Sequence, residues 1–292
     1  MYPGIYIPIV TPFLNGEIDF LSLEKLINRF IDNGVSGLFA AATTGEAPTL
    51  SDEEYFQLIG KVCEMVAGRV GVYAGLSEHN TRLLVKLAGQ LEPFPIEGIL
   101  SSCPYYNLPA QQGIYEHFRC LSEATPHPVI LYNIPCRTGR NIENDTIRRL
   151  AQLKNIIGLK DSCGNIDQSM ELLLNRPDDF MIFTGHDSDF FLNLALGGDG
   201  GILASAHICT EQYVQMFDEF QRNNIGEARR IWKELLPVIQ LLFVEPNPAP
   251  VKYVLAACGM IAGSEVRLPL TGISIQLKQK LSELNLFQEA RG

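Results

Sequence analysis

A lysine that ends a short apolar segment is the side chain in this sequence with the clearest chemical potential. Lys160 follows residues 156–159, which read Ile-Ile-Gly-Leu, and it precedes a polar turn at residues 162–165. A segment of this kind predicts a strand buried on both faces. Because a buried ammonium group is costly unless it is paired or loses its proton, Lys160 is a candidate amine of lowered pKa, able to form a Schiff base with a carbonyl. From this segment alone, an ordinary surface lysine just past a strand is an equal alternative.

Further polar side chains follow other predicted strands. They are Thr43, Thr44, Glu46, Tyr105, Tyr106, Asn107, Tyr132, Asn133, Asp161, His186 and Asp187. A lysine accompanied by tyrosines and threonines suits imine chemistry with proton transfer, and it does not suit metal or phosphate chemistry. Tyr132 can act as the acid or base, and Arg137 can bind a carboxylate through two parallel hydrogen bonds. Each tyrosine alone also fits an amphipathic rim position, so the prediction depends on their shared position after strands.

Signatures of other chemistries are missing from the sequence. The five histidines have neither HxH nor HExxH spacing, so no metal site is predicted. No GxSxG or Walker-type loop occurs, and none of the seven cysteines has a local signature of a nucleophile. The patterns therefore do not indicate serine-nucleophile hydrolysis, P-loop nucleotide chemistry or metal catalysis.

Short apolar segments alternate with longer amphipathic segments along the chain. The predicted strands are residues 5–10, 35–41, 70–74, 96–101, 129–132, 156–160, 180–184 and 201–204. The predicted helices are residues 21–33, a segment that Ser51 opens, and residues 80–91, 111–123, 142–152, 166–175, 188–196 and 211–222. Such strand–helix pairs, over about 225 residues, are typical of a closed (β/α)8 TIM barrel of about 250 residues. An open doubly wound sheet is the alternative, but the first strand–helix turn lacks the GxGxxG fingerprint.

The predicted fold class is α/β, with a (β/α)8 TIM barrel over residues 1–225 and a C-terminal helical extension over residues 226–292. Within the extension, the predicted helices are residues 226–243, 251–258 and 273–284, and three prolines at 246, 248 and 250 separate the first two. Since the carboxyl ends of barrel strands open on one face, this architecture is expected to gather the polar side chains named above.

Two of the predicted helices carry local start or stop signals. Ser22 is the predicted N-cap of the first helix, and Gly34 is its predicted stop. Ser51 and Glu54 have the spacing of a capping box at the start of the second helix.

The bulk properties of the chain restrict its partners and its compartment. The formal net charge of −10 argues against nucleic acid and anionic membranes as main partners. No apolar run approaches the about 20 residues of a membrane span, and the N-terminus lacks the features of a signal peptide. The seven cysteines are odd in number and form no CxxC pair, which favours reduced thiols over a disulfide framework or a zinc site. A cytoplasmic protein is predicted.

Six motifs at these positions carry a resemblance to a known family. They are Thr43-Thr44-Gly45-Glu46, Pro104-Tyr105-Tyr106-Asn107, Leu131-Tyr132-Asn133-Ile134-Pro135, Arg137-Thr138-Gly139, Ile156-Ile157-Gly158-Leu159-Lys160-Asp161 and Phe243-Val244-Glu245-Pro246-Asn247-Pro248. With these motifs the sequence resembles, over essentially its whole length, the pyruvate-dependent class I aldolases that include dihydrodipicolinate synthase and N-acetylneuraminate lyase. The Arg-Thr-Gly and Glu-Pro-Asn-Pro segments look most like the dihydrodipicolinate synthase branch.

The resemblance implies a lyase of lysine and diaminopimelate biosynthesis, which joins pyruvate to L-aspartate 4-semialdehyde and releases 4-hydroxy-tetrahydrodipicolinate. Lys160 would hold pyruvate as a covalent Schiff base, without a separate cofactor. Tyr132 would be the acid/base, linked to water through Thr43 and Tyr106, and Arg137 would bind the carboxylate of the semialdehyde. The remaining positions that match pyruvate-binding residues of the family are Thr44, Gly45 and Ile202.

The resemblance also bears on assembly and regulation. In the family, the region that corresponds to Tyr105 and Tyr106 crosses a dimer interface, which implies a homotetramer built from two such dimers. Lysine-inhibited relatives carry His, His, Asn and Glu where this chain has Asp52, Tyr55, His79 and Leu83. Because the glutamate that would bind the ammonium group of the effector is replaced by a leucine, feedback inhibition by lysine is not expected.

Two alternative functions remain open at this point. One is another pyruvate-dependent aldolase or lyase, acting on a 2-keto-3-deoxy sugar acid or on N-acetylneuraminate; Arg137 favours a short acidic aldehyde over these. The other is a catalytically inactive barrel that serves as a binding or regulatory protein. The combined presence of five residues argues against it: Lys160, Tyr132, Thr43, Thr44 and Tyr106.

Overall fold

The computed structural model of the protein describes residues 1–284. The strands in this range are β1 (Gly4–Pro8), β2 (Phe13–Leu14), β3 (Glu17–Ile18), β4 (Gly37–Ala40), β5 (Gly71–Gly75), β6 (Gly98–Ser102), β7 (Val129–Asn133), β8 (Ile156–Asp161), β9 (Met181–Thr184) and β10 (Gly200–Ile202). Eight of them form a closed barrel in the order β1-β10-β9-β8-β7-β6-β5-β4, while β2 and β3 form a separate antiparallel pair. The predicted α/β class and TIM-barrel architecture are confirmed.

Helices follow the barrel strands and continue beyond the last of them. Those of the described range are α1 (Phe20–Asp32), α2 (Asp52–Val66), α3 (Thr81–Gln90), α4 (Gln111–Ala124), α5 (Pro135–Thr138), α6 (Asn144–Leu150), α7 (Ile166–Leu174), α8 (Phe190–Ala195), α9 (Thr210–Gln221), α10 (Ile225–Leu242), α11 (Ala249–Ala257) and α12 (Ile275–Glu283). Helices α10 to α12 lie where the extension was predicted, and the boundary at residues 225 and 226 stays a prediction. The pair β2–β3 and the short helix α5 were not predicted.

The chain divides into two compact units. The first, which we name the central unit, comprises residues 71–202 together with residues 1–3. The second, the terminal unit, comprises residues 4–70 together with residues from 203 onward. None of the helices in the described range combines the length and apolarity that a membrane crossing requires.

The register of the parallel strands in the central unit places the predicted site residues. Every residue of β7 is buried, and in β8 only Ile157 is partly exposed, as expected for parallel strands covered on both faces. β7 pairs with β8 so that Tyr132 lies opposite Lys160. β8 pairs with β9 so that Lys160 lies opposite Phe183. Lys160 is therefore held between two strands near their carboxyl ends.

The first helix of the terminal unit begins differently from its prediction. The N-cap of α1 is Asp19, whose side chain accepts a hydrogen bond from the backbone N of Ser22 at 3.0 Å. The prediction that Ser22 is the N-cap is therefore wrong. The Ser22 Oγ instead accepts a hydrogen bond from the backbone N of Ala262 at 3.0 Å. Gly34 follows the helix with a left-handed φ of 82°, in agreement with its predicted role as the stop.

The start of α2 agrees with its prediction. The Ser51 side chain accepts a hydrogen bond from the backbone N of Glu54 at 3.2 Å, and the Glu54 carboxylate accepts one from the backbone N of Ser51 at 2.9 Å. This reciprocal pair is the predicted capping box. It fixes the start of the helix that follows residues 43–46.

Candidate active site

Lys160 is a buried amine whose surroundings disfavour its charged form. Its side chain lies near the carboxyl end of β8 and the residue is only 4% exposed. Burial lowers the pKa of Lys160 from 10.5 to about 8; the carboxylate of Asp187 opposes this effect and the positive charge of Arg137 reinforces it. A substantial fraction of the amine is therefore unprotonated near neutral pH, as nucleophilic attack on a carbonyl requires.

Tyr132 is an acid/base group beside this amine, on the neighbouring strand β7. The Nζ of Lys160 lies 4.4 Å from the centre of the Tyr132 ring. Burial raises the pKa of Tyr132 from 10 to about 12, while Arg137 and the Ser162 hydroxyl act in the opposite direction. The phenol consequently keeps its proton at neutral pH and can donate it to a leaving hydroxide.

Gly185 allows the Lys160 side chain to occupy its position. A Cβ atom at Gly185 would overlap the Lys160 side chain and would lie 2.5 Å from Ser162 Oγ. Any larger residue at position 185 would therefore displace the side chains of Lys160 and Ser162 from their observed positions. The backbone N of Gly185 also donates a hydrogen bond to the carbonyl of Asp161 at 2.7 Å, which ties the loop after β9 to the end of β8.

The sequence did not predict the roles of Gly185, Ser162 and Asp187. Asp187 was recognised only as a polar residue after a strand, yet it is buried and its charge acts on the pKa of Lys160. A glycine directly after β9 was the available signal for Gly185, because a glycine at the end of a strand often marks a close backbone approach. Ser162 belonged to a segment that was interpreted only as a turn.

Arg137 is presented by a short helix that the surrounding loop stabilises. Arg137 lies in α5, which begins just after the buried end of β7, and it is exposed to solvent. The Asn133 side chain holds the loop that follows, since its Oδ1 accepts a hydrogen bond from the backbone N of Ile142 at 3.0 Å. Although exposed, Arg137 is close enough to influence the pKa values of both Lys160 and Tyr132. It is a suitable group to bind a substrate carboxylate next to the amine.

Residues 43–45 form one short loop in the terminal unit. Thr44 is buried, and its Oγ1 accepts a hydrogen bond from Asn247 Nδ2 at 2.9 Å. The carbonyl of Gly45 accepts a hydrogen bond from Thr11 Oγ1 at 2.6 Å. A Cβ atom at Gly45 would lie 3.0 Å from the carbonyl oxygen of Ile9, so the loop packs directly on the chain after β1. Thr43 is partly exposed beside these contacts.

The two remaining predicted site residues differ in exposure. Ile202, the last residue of β10, is fully buried. Tyr106 is 88% exposed and has a left-handed φ of 71°, so it is not packed into the buried cluster around Lys160. The structure thus brings Lys160 and Tyr132 together with the charge of Arg137, and it leaves Tyr106 exposed outside this cluster.

The residues of the described range offer no alternative centre of metal or disulfide chemistry. No group of three or more His, Cys, Asp or Glu side chains among residues 1–284 is arranged to hold a metal ion. None of the seven cysteines, all within residues 1–284, forms a disulfide. What the site can do chemically rests on a nucleophilic amine, a protonated phenol and a nearby guanidinium group.

Comparison with known proteins places these features in one family. The model of the dihydrodipicolinate synthetase family matches residues 1–286. A protein of Clostridium acetobutylicum named 4-hydroxy-tetrahydrodipicolinate synthase 2 is 52% identical over 280 residues, which are 96% of this chain and 98% of that protein. The crystal structure of dihydrodipicolinate synthase from Thermotoga maritima is 37% identical, covers 100% of this chain and 99% of its own, and superposes with a TM-score of 0.95. A structure described as the first monomeric dihydrodipicolinate synthase variant is 36% identical, covers 99% of this chain and 97% of its own, and has a TM-score of 0.95.

Proposed function

We propose that this chain, which belongs to the dihydrodipicolinate synthetase family, is a lyase that condenses pyruvate with L-aspartate 4-semialdehyde to 4-hydroxy-tetrahydrodipicolinate. The observation that carries this proposal is the position of Lys160, buried on β8 opposite Tyr132 with a pKa lowered to about 8. A buried amine of this kind is a recurrent nucleophile toward carbonyl substrates.

The first half-reaction captures pyruvate. The unprotonated Nζ of Lys160 attacks C2 of pyruvate, and the C2 oxygen takes one proton from the amine and one from Tyr132 and leaves as water. The C2–O bond breaks as the C2=N bond of the iminium ion forms. Tyr132, now deprotonated, takes a proton from the C3 methyl group, which gives an enamine and restores the phenol. No separate cofactor is needed, because the electron sink is the iminium nitrogen of Lys160 itself.

The second half-reaction forms the carbon–carbon bond and releases the enzyme. The enamine C3 attacks the aldehyde carbon of the semialdehyde, and the aldehyde oxygen takes up a proton. The amino group of the semialdehyde then attacks C2 and displaces Lys160 as the ring closes. The overall reaction consumes one molecule of each substrate and releases the one water molecule lost in iminium formation.

The other residues act by binding and proton transfer in this scheme. Tyr132 is the acid/base, and Thr43 and Tyr106 connect it to water. Arg137 binds the carboxylate of the semialdehyde. This role is supported by the exposure of Arg137 to solvent in the segment after β7. Pyruvate is held by Thr44, Gly45 and Ile202. These assignments are supported by the match of residue types to the family and, for Thr44, by a buried hydroxyl in a tethered loop.

Assembly and compartment form part of the same proposal. A homotetramer built from two dimers would place Tyr106, which is 88% exposed in a single chain, against a neighbouring subunit. The description of a structural relative as the first monomeric variant supports an assembly as the usual state. Seven cysteines without a disulfide suit the reducing cytoplasm, and neither nucleic acid nor a membrane is proposed as a partner.

A panel of aldehydes offered with pyruvate tests the proposed substrate pair. Purified full-length protein is incubated with pyruvate and, in turn, with aspartate semialdehyde or with sugar aldehydes, and consumption of pyruvate is followed. The proposal predicts rapid consumption with aspartate semialdehyde and little with the sugars. Turnover of sugar aldehydes with no reaction of aspartate semialdehyde would replace the proposed function by a sugar-acid aldolase.

A further inference from the structure

A second buried lysine lies in the terminal unit, and the proposed mechanism makes no use of it. Lys252 is in α11, and its side chain and that of its ion-pair partner Glu46 are both fully buried. The Nζ of Lys252 donates hydrogen bonds to the Glu46 carboxylate and, at 2.8 Å, to the carbonyl of Glu265. It also lies 4.2 Å from the centre of the Phe13 ring. Lys252 and all of these partners belong to the terminal unit.

The second oxygen of the Glu46 carboxylate is also occupied. It accepts a hydrogen bond from the backbone N of Arg267 at 2.9 Å. The guanidinium group of Arg267 lies 4.2 Å from the same Phe13 ring, donates to both oxygens of Glu54, and donates to the carbonyl of Thr49 at 3.1 Å. The segment from residue 46 to residue 54 is thus held by residues 252 and 267 along its length.

Glu46 directly follows the loop that carries the predicted pyruvate-binding residues. Its backbone is left-handed, with φ of 55°, and its N donates a hydrogen bond to the carbonyl of Thr43 at 3.1 Å. Three side chains from other parts of the chain bind the successive residues 44, 45 and 46. They are Asn247 to Thr44, Thr11 to the carbonyl of Gly45, and Lys252 to Glu46.

A contribution to stability does not explain why an ion pair occupies this place. The cost of removing two charges from water often exceeds the attraction between them, and well-packed apolar residues of similar volume are frequently as stable or more stable. Consistent with that cost, burial lowers the pKa of Lys252 even though Glu46 favours its charged form. In some proteins, buried charged contacts specify one geometry more strictly than apolar packing does.

We propose that Glu46 and Lys252 are positioning residues, whose ion pair holds residues 43–45 in the conformation that binds pyruvate. The inference rests on the proposed function, in which Thr44 contacts pyruvate and Thr43 relays protons. Neither Glu46 nor Lys252 touches substrate in this account; both act through the backbone of the loop.

The test compares full-length wild-type protein with the double variant E46Q/K252M, which removes both charges and so leaves no unpaired buried ion. Two quantities are measured: kcat and KM for pyruvate, and the pyruvate concentration that gives half-maximal borohydride trapping on Lys160. We expect kcat/KM for pyruvate to fall by about 10²-fold, the loss that a misplacement of about 1 Å causes. Half-maximal trapping should shift to a higher pyruvate concentration, while thermal unfolding stays cooperative near the wild-type temperature.

A matched control separates charge removal from loop positioning. The variant K61M/E64Q removes an ion pair of the same residue types, 2.8 Å long and exposed on α2 of the same unit, and it should behave like the wild type. If E46Q/K252M does not fold, E46D takes its place, because this variant keeps the negative charge but shortens the side chain at position 46 by one methylene.

The outcomes distinguish this inference from the function on which it rests. A folded E46Q/K252M, or E46D in its place, with wild-type kcat/KM and wild-type half-maximal trapping overturns the positioning role alone. Failure of wild-type protein to form any pyruvate adduct overturns the proposed function, and the inference with it. A wild-type adduct together with the expected loss in the variant supports both.

Discussion

At the scale of single residues, Lys160 and Lys61 show how environment changes one side chain. Lys61 is exposed and pairs with Glu64, whereas Lys160 is 4% exposed and burial lowers its pKa to about 8. With a pKa of 10.5 an amine is about one part in 3,000 unprotonated at pH 7, and with a pKa of about 8 it is about one part in ten. This roughly three hundredfold difference in nucleophile concentration corresponds to a larger free energy than a single hydrogen bond typically contributes.

The charge of Asp187 gives a prediction on pH dependence. Asp187 raises the pKa of Lys160 against the larger effect of burial, so Asp187→Asn should lower that pKa further. In the wild type, kcat/KM for pyruvate should rise with pH, be half-maximal near pH 8 and level off above it; in the variant this rise should occur at lower pH. The measurement is the pH profile of kcat/KM for pyruvate. A displacement of the rise to higher pH would contradict the electrostatic account.

The phenol of Tyr132 gives a prediction on rate. Tyr132→Phe removes the proton donor but keeps the ring that covers Lys160, so turnover should fall by roughly 10²–10⁴, the effect of a positioned acid/base. The measurement is kcat with pyruvate and aspartate semialdehyde. Tyr2→Phe is the control, because Tyr2 is 80% exposed and should tolerate the same change. Near-wild-type turnover in Tyr132→Phe would remove its assigned role.

At the scale of secondary structure, apolar content was enough to find each barrel strand but not its ends. β7 was predicted as residues 129–132 and extends to Asn133, because pairing with β8 continues to Asp161. The capping box of Ser51 and Glu54 was found because both of its residues lie within one turn. Ser22 was mistaken for an N-cap because Asp19, three residues earlier, has an equally suitable side chain.

The β2–β3 hairpin and the ion pair of Glu46 and Lys252 were not predicted from the sequence. The hairpin turns at Asn15 and Gly16, both with left-handed φ; this Asn-Gly pair is a typical signal of such a turn, but no hairpin was predicted from it. The predictions of Lys160 and Tyr132 rested on local patterns at strand ends. The pair of Glu46 and Lys252 joins residues 206 positions apart, which no pattern along a single sequence indicates.

The anchoring of residues 43–46 by α11 gives a prediction on stability. Lys252→Met alone leaves the Glu46 carboxylate buried without its cation, which typically costs about 3–5 kcal/mol in the free energy of unfolding. Adding Glu46→Gln should recover most of that loss, since no unpaired charge then remains. Urea unfolding at fixed protein concentration measures both effects, with Lys61→Met as a control expected within about 0.5 kcal/mol of wild type. Equal stabilities of wild type and Lys252→Met would contradict the proposed anchor.

At the scale of the whole molecule, burial of the Lys160 amine lowers the free energy of unfolding. A domain is usually stable by only about 5–15 kcal/mol, so one buried lysine of lowered pKa is a sizeable part of that margin. The pKa of Lys160 falls from 10.5 in the unfolded reference to about 8 in the folded protein. Between these values the unfolded chain binds more protons than the folded one, and the stability of the wild type therefore rises as the pH increases through this window.

Replacing the amine should accordingly stabilise the protein while it abolishes activity. Below pH 8 Lys160→Met should be more stable than wild type by up to about 3 kcal/mol, and the gain should shrink as the pH rises toward 10.5. Guanidinium unfolding of both proteins, at about pH 7 and about pH 10 and at one protomer concentration, measures the difference. Equal stabilities at about pH 7, or a gain that grows with pH, would show that burial of Lys160 carries no such cost.

Whether Lys160 forms a Schiff base with pyruvate can be measured by borohydride reduction in the presence of pyruvate, followed by peptide mass spectrometry. We expect that the peptide containing Lys160 gains the mass of a reduced pyruvate imine, that peptides containing Lys252 or Lys61 do not, and that Lys160→Ala abolishes the adduct. A Lys160 peptide left unmodified at saturating pyruvate, or an adduct that persists on another lysine in Lys160→Ala, would contradict this expectation.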